Sequence, residues 1–302
     1  MNNHYATLLV LCALVSMTSC EKTKDKAESS SITQWEIGPF VKQDAENPIL
    51  LPNPSLVFVD PVSGEETAFE GRNVLNPSAV VKDGKVHLLY RAQDQKMTSR
   101  IGLATSEDGI HFIKEPAPIF FPDNDAMLVY ENNGGVEDPR VVQGPEGNYW
   151  LTYTAYDGKT ARLCIASSPD LRQWTKHGPV LNDPKYIDLW SKSGAIVVEH
   201  RGEEMRAKKI DGQYWMYFGD TNLYMAYSTN LKDWKVLENA ENNKMVSVLH
   251  PRPGYFDSRL VEPGPYALWT ENGINLIYNA SNAANNNDPQ LPKFTYAAGQ
   301  AL

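Results

Sequence analysis

Three stretches of this chain repeat one pattern about sixty residues apart, and that repeat restricts the fold more than any other feature. Ile101-Gly-Leu-Ala104-Thr-Ser106-Glu-Asp108-Gly-Ile-His-Phe112 aligns with Leu163-Cys-Ile-Ala166-Ser-Ser168-Pro-Asp170-Leu-Arg-Gln-Trp174. Both align with Leu223-Tyr-Met-Ala226-Tyr-Ser228-Thr-Asn230-Leu-Lys-Asp-Trp234, so the shared alanines fall 62 and 60 residues apart. Each copy reads as an apolar strand, a polar turn and a closing aromatic. Ahead of the copies stand Asp83-Gly84-Lys85, Glu146-Gly147-Asn148 and Asp211-Gly212-Gln213, each followed by an apolar or aromatic run. Asp-Gly between apolar runs is a strong hairpin cue. A fourth hairpin is expected at Glu271-Asn272-Gly273, and long amphipathic helices are absent.

Short antiparallel strands at this period predict an all-β fold, a five-bladed β-propeller. Blades are expected at about 73–115, 132–176 and 193–236, with a fourth from near 257 and segment 33–60 supplying strands to a fifth. No closing copy follows Phe294. The last blade is therefore expected to be incomplete at the C-terminus. Either segment 33–60 closes the ring or the chain stops short of its natural end, and the liability of an open edge strand favours the second. A chain of 302 residues can make one large β domain.

Residues 1–20 read as an export signal, because Leu8 to Met17 is an apolar run too short to span a bilayer. The run ends in Met17-Thr18-Ser19-Cys20, which resembles a bacterial lipobox, although Met1 to Tyr5 carries no Lys or Arg. On this reading Cys20 is lipidated, residues 21–32 form a polar tether, and residues 33–302 form the catalytic propeller of an exported, cell-envelope lipoprotein. An ordinary cleaved signal is the plainer alternative. Membrane contact is then expected only through the anchor. Cys164 is left as the one cysteine of the mature fold, which excludes an internal disulfide.

A formal net charge of −9 offers nothing to a phosphate backbone, so nucleic acid is excluded as a partner, while a neutral glycan is compatible. The six histidines show no paired ligand spacing, and no metal or other cofactor is expected. Chemistry is expected where polar residues recur at the start of the strand before each hairpin: Asn76-Pro77-Ser78, Glu137-Asp138-Pro139, Lys192-Ser193-Gly194, and Asp257 with Glu262-Pro263-Gly264. Equivalent positions of a propeller repeat meet around one axial pocket. Acids and amides gathered there suit a sugar, and glycoside hydrolysis needs two carboxylates. The most telling stretch is Asn133-Gly134-Gly135-Val136-Glu137-Asp138-Pro139-Arg140, in which the rule for residues before proline predicts an extended Asp138. The plainer reading of every one of these residues is a hydrogen bond that orders the strands.

Gly134 to Arg140, together with Tyr90-Arg91-Ala92 and Ile210-Asp-Gly-Gln-Tyr-Trp-Met-Tyr217, resembles glycoside hydrolase family 130, which holds mannoside phosphorylases and β-mannosidases on a five-bladed propeller. The similarity runs over about residues 35–302. It implies that Asp138 is the proton donor, passing its proton through a sugar hydroxyl in the phosphorylases, and that Asp257 holds the terminal mannose. It implies further sugar contacts from Asn76, Arg91 and Arg140, beside which Glu137 and Lys192 are candidate substrate-binding residues.

Phosphorylases of this family commonly carry a His-Arg pair where Phe218-Gly219-Asp220 stands, and Asp220 would repel phosphate. Glu262 stands where they tend to have a small residue. The expectation is thus an exo-acting, inverting β-mannosidase on β-1,2-linked mannosides, with Asp138 as acid and Glu262 as base. Glu199, Glu203 and Glu204 are alternative second carboxylates. Lys192, Lys208, Lys209 and Arg162 keep a phosphorylase as the alternative, and exposed Trp190, Trp269 and Tyr255 keep a non-catalytic glycan-binding lipoprotein as the second.

Overall fold

The computed structural model describes residues 35–302. The signal, the tether and Cys20 lie outside the described residues. The architecture is all-β, with one single-turn helix, α1 (Leu128–Glu131), among the described residues. None of their helices is long and apolar enough to cross a membrane.

Four antiparallel meanders carry the fold. The first is β3 (Asn73–Lys82), β4 (Lys85–Gln93), β5 (Ser99–Ser106) and β6 (Ile113–Lys114). The second is β7 (Gly135–Gln143), β8 (Tyr149–Tyr156), β9 (Ala161–Ser168) and β10 (Thr175–Pro179). The third joins β11 (Ala195–Arg201) to β14 (Gln213–Phe218), β15 (Tyr224–Ser228) and β16 (Lys235–Val236). The fourth is β17 (Leu260–Thr270), β18 (Gly273–Ser281) and β19 (Tyr296–Ala301).

The hairpins form where the turn residues predict. Asp83 and Gly84 have φ of 52° and 70°, and Asp211 and Gly212 have 51° and 80°. Two successive positive φ values make the turn whose twist matches the flanking strands.

The repeated Ala-x-Ser-x-Asp element is turn chemistry as well. Ser106, Ser168 and Ser228 each bond the Asp or Asn two residues on (Asp108, Asp170, Asn230). That side chain in turn accepts two backbone N–H groups, from Arg172 and Gln173 in the second copy. The indoles of Trp174 and Trp234 then donate to the carbonyls of Leu171 and Leu231. This device reverses the chain after β5, β9 and β15.

Two expectations need correction. Segment 33–60 adds no strand to a meander: its one strand, β1 (Val57–Val59), pairs with β2 (Glu66–Ala68) in a separate ribbon. Its start instead lies along the last meander, where the Gln300 side chain bonds both the N–H and the carbonyl of Ile37. The third meander is also interrupted. β11 pairs with β14 at its start, then diverges to pair with β12 (Glu204–Ala207), and β13 (Lys209–Ile210) precedes the hairpin.

The core lies between neighbouring meanders. Leu89, Ile101, Leu103, Val141, Leu151 and Tyr153 pack between the first and second. Val142, Trp150, Leu163, Ile196, Met216 and Phe218 pack between the second and third. Because β7 and β8 face a neighbour on each side, they are buried along almost their whole length with little alternation. Each such side chain contributes roughly 1.5–3 kcal/mol by leaving water. Short parallel pairs also join the meanders: β5 to β7, β7 to β12 and β11 to β17. The β5–β7 contact explains one glycine, since a Cβ on Gly135 would lie 2.1 Å from the Ser99 carbonyl oxygen.

Candidate active site

The first strand of three of the four meanders breaks its register at one place. In β3 the shift falls between Leu75 and Ser78, in β7 between Glu137 and Arg140, in β17 between Pro263 and Ala267. In β3 and β7 one extra residue is inserted, a β-bulge. Asn76 and Asp138 occupy the bulges with φ of 47° and 52°, and Ser193, just ahead of β11, has 60°. Pro77 and Pro139 follow, and their missing N–H costs nothing where the ladder is already interrupted. The predicted extended Asp138 is therefore wrong: the bulge overrides the preference of a residue before proline.

The bulges turn side chains from different meanders into one cavity of about 650 Å³, lined by Asn76, Arg91, Asp138, Arg140, Lys192, Glu262, Asn279 and Tyr296 among others. Asp138 is its most engaged member. Its Oδ1 accepts from Asn76 Nδ2 at 2.7 Å and Arg91 Nη1 at 3.2 Å, and its Oδ2 lies 3.6 Å from Lys192 Nζ. Burial pushes the Asp138 carboxyl up, but Arg91, Lys192 and the Asn76 amide outweigh it and hold the group below its usual range.

Glu262 lies across the cavity. It accepts from Ser193 Oγ and sits 3.7 Å from Arg140 Nη2. The buried Arg140 guanidinium spans the two meanders, donating to the carbonyls of Gly264 at 3.0 Å, Pro263 at 3.1 Å and Asp138 at 3.3 Å. Its donors are thus largely occupied by backbone.

Two other sequence candidates stand off the cavity. Glu137 points behind the bulge, pairing with Arg91 Nη2 and accepting from Ser99 Oγ at 3.4 Å, so it orients Arg91. Burial raises its carboxyl above the usual range despite Arg91. Asp257 is fully buried and accepts from Arg252 Nε at 2.9 Å and Tyr278 Oη at 3.1 Å, closed off from the cavity.

The alternative second carboxylates fall away too. Glu199 is six residues beyond Ser193, roughly 20 Å along an extended strand. It pairs there with Lys208 and Arg201, while Glu204 pairs with Arg206 and Glu203 is exposed. Of the basic residues weighed for phosphate, only Lys192 lines the cavity. Arg162 is held by Asp157 and Asp188, and Lys209 lies over the Tyr214 ring. No cluster of His, Cys, Asp and Glu able to hold a metal occurs among the described residues. The sequence reading named Ser193 within Lys192-Ser193-Gly194 without giving it a role, and missed Asn279 and Tyr296. For Ser193 the signal was present, since it precedes Gly194 as Asn76 and Asp138 precede their prolines.

A family profile described as beta-1,4-mannooligosaccharide phosphorylase matches residues 42–297. A curated 1,2-beta-oligomannan phosphorylase from Thermoanaerobacter sp. (strain X514) is 29% identical, covering 81% of this chain and 73% of that protein. A beta-1,2-mannobiose phosphorylase from the same organism is 29% identical over 51% of this chain and 49% of its own length. Among solved structures, a glycosyl hydrolase from Bacteroides ovatus superposes with a TM-score of 0.87 at 38% identity, covering 90% of this chain and 78% of the other. Another, from work stating that the GH130 family of mannoside phosphorylases contains glycoside hydrolases that target beta-1,2 mannosidic linkages in Candida mannan, gives 0.87 at 40% identity with the same coverage. A profile match over most of the chain, with the Glu-Asp-Pro-Arg element seated at the cavity, means that this protein belongs to glycoside hydrolase family 130.

Proposed function

We propose that the protein cleaves terminal β-1,2-linked mannosides in this cavity, with water as the acceptor. The observation that carries the choice of water is charge balance. Arg91 faces Glu137 and Asp138, Arg140 faces Glu262, and Lys192 faces Asp138. No cation lining the cavity is left over for an incoming phosphate dianion, which needs clustered basic donors.

In this reading Asp138 gives a proton to the leaving oxygen as the C1–O bond breaks. Glu262, oriented by Ser193, takes a proton from the water that bonds to C1 from the opposite face, so the configuration inverts. Phosphorolysis is the second reading, and the names of the curated relatives favour it over hydrolysis. The solved relative at 40% identity is described in terms of hydrolases and favours water. We also read the four meanders as blades of a five-bladed propeller; their recurrent order and the parallel pairs between them support this.

Incubation with β-1,2-mannobiose, with and without phosphate, tests the proposal. Free mannose in phosphate-free buffer is the expected result. Mannose 1-phosphate formed only with phosphate present would move the reading to phosphorolysis, and binding without turnover would make the protein a lectin. The Asp138→Asn and Glu262→Gln variants should each lose about 10²–10⁴ in kcat, the usual worth of a positioned acid or base.

A further inference from the structure

Two exposed aromatic side chains belong to segments that line the cavity, without being absorbed into the packing between meanders. Tyr296, which opens β19, lines the cavity and is 63% exposed. Trp190, two residues ahead of Lys192, is 50% exposed. Trp190 is nonetheless held in one orientation. Its indole N–H donates to Asp220 Oδ2 at 3.2 Å, and Gly219, next to Asp220, donates its own N–H to the Lys192 carbonyl at 3.0 Å. Its ring meets Tyr156 at 6.1 Å and 65°. Tyr156 in turn packs on Gly134, where a Cβ would come within 2.2 Å of the Tyr156 ring, so the Trp190 support is continuous with the segment leading to Asp138.

An aromatic ring that stays half in water while its polar edge is pinned presents a fixed apolar face. Sugar rings carry apolar C–H faces of matching size, and the ring's polar tip leaves that stacking free. In an exo-acting site the terminal unit sits deepest, beside Asp138 and Glu262, and the rest of the glycan emerges at the mouth.

We propose that Trp190 and Tyr296 form a leaving-group platform that stacks the sugars beyond the cleaved bond. The preferred substrate is then an oligosaccharide of three or more units, a disaccharide being the poorer one. This rests on the mannoside-cleaving reading above, and it holds for water or phosphate as acceptor.

The test compares wild type, Trp190→Ala and Tyr296→Ala on two substrates in phosphate-containing buffer: β-1,2-mannotriose and β-mannosyl fluoride, whose leaving group has no sugar face. The expected result is that each variant loses kcat/KM on mannotriose about tenfold more than on the fluoride, the worth of one stacking contact. Equal losses on both substrates, or no loss on mannotriose, would overturn the platform. Calorimetric titration of mannotriose into Asp138→Asn, with and without Trp190→Ala, reads binding apart from turnover. Unchanged affinity there would also overturn it. Wild type inert on both substrates would instead remove the mannoside-cleaving reading on which the platform stands.

Discussion

Asp138 occupies a backbone conformation that costs most residues about 1–3 kcal/mol, and Asp and Asn less than most. Its φ of 52° places the carboxylate where Asn76, Arg91 and Lys192 converge on it. Those partners keep it ionised in the free site, and this conditions its acid role. As pH rises above a depressed pKa, the protonated fraction falls tenfold per unit, so kcat/KM should be greatest on the acid side of neutrality. A kcat/KM profile flat to pH 8 would remove Asp138 from that role. Lys192→Met takes away one of the cations that favour the charged form. The Asp138 pKa then rises, and the limb of the kcat/KM profile that it sets should move to higher pH, which a pH series on the variant would show. None of this could be read from the residue types alone. The Glu-Asp-Pro-Arg string named the acid, but only the bulge decided that Asp138 faces the cavity and Glu137 faces away.

At the scale of the element, the repeat that announced the fold proves to be a hydrogen-bonded turn, and it lies apart from the chemistry. Ser168 accepts from the N–H groups of Asp170 and Leu171 and bonds the Asp170 carboxylate, in the same geometry as Ser228 with Asn230. Leu171 then carries a φ of 70° and Leu231 one of 65°. Ser168→Ala should lower stability by about 1–3 kcal/mol, because the buried Leu171 N–H loses its acceptor, and Asp170→Ala, which frees only exposed N–H groups, should cost less. Thermal denaturation would register this as a reduced Tm, with kcat on mannobiose within twofold of wild type. Hairpins and turns of this kind were legible because their residues act over two to four positions. The divergence of β11 from β14 toward β12 was not legible, since nothing local distinguishes a strand that changes partners halfway. The pairing of β1 with β2 rather than with a meander was hidden for the same reason.

For the whole molecule, the packing between meanders sets the pH range of stability as well as the position of the site. Glu131, at the end of α1, is fully buried against the second meander, where it accepts from Tyr153 Oη at 3.0 Å and Lys176 Nζ at 2.5 Å. Burial pushes its carboxyl up to about 7 in spite of Lys176. A folded value above the unfolded one means that the protonated form favours folding. That contribution is complete below the unfolded value near 4.5 and is lost as pH rises through 7. The loss amounts to about 3 kcal/mol at 1.36 kcal/mol per unit. Glu131→Gln should flatten the dependence of Tm between pH 4.5 and 7.5, and an unchanged slope would assign it to another group. Arg140 is the counterpart at the cavity, joining the second meander to the fourth through the carbonyls of Pro263 and Gly264. The sequence by itself determined the strands, their hairpins, their sixty-residue period and which residues stand at the start of each meander, because turn chemistry and apolar patterning act between near neighbours. Only the tertiary structure decided that Glu262 rather than Glu199, Glu203 or Glu204 shares a cavity with Asp138, and that Asp257 does not, because residues more than a hundred positions apart meet through the packing of sheets.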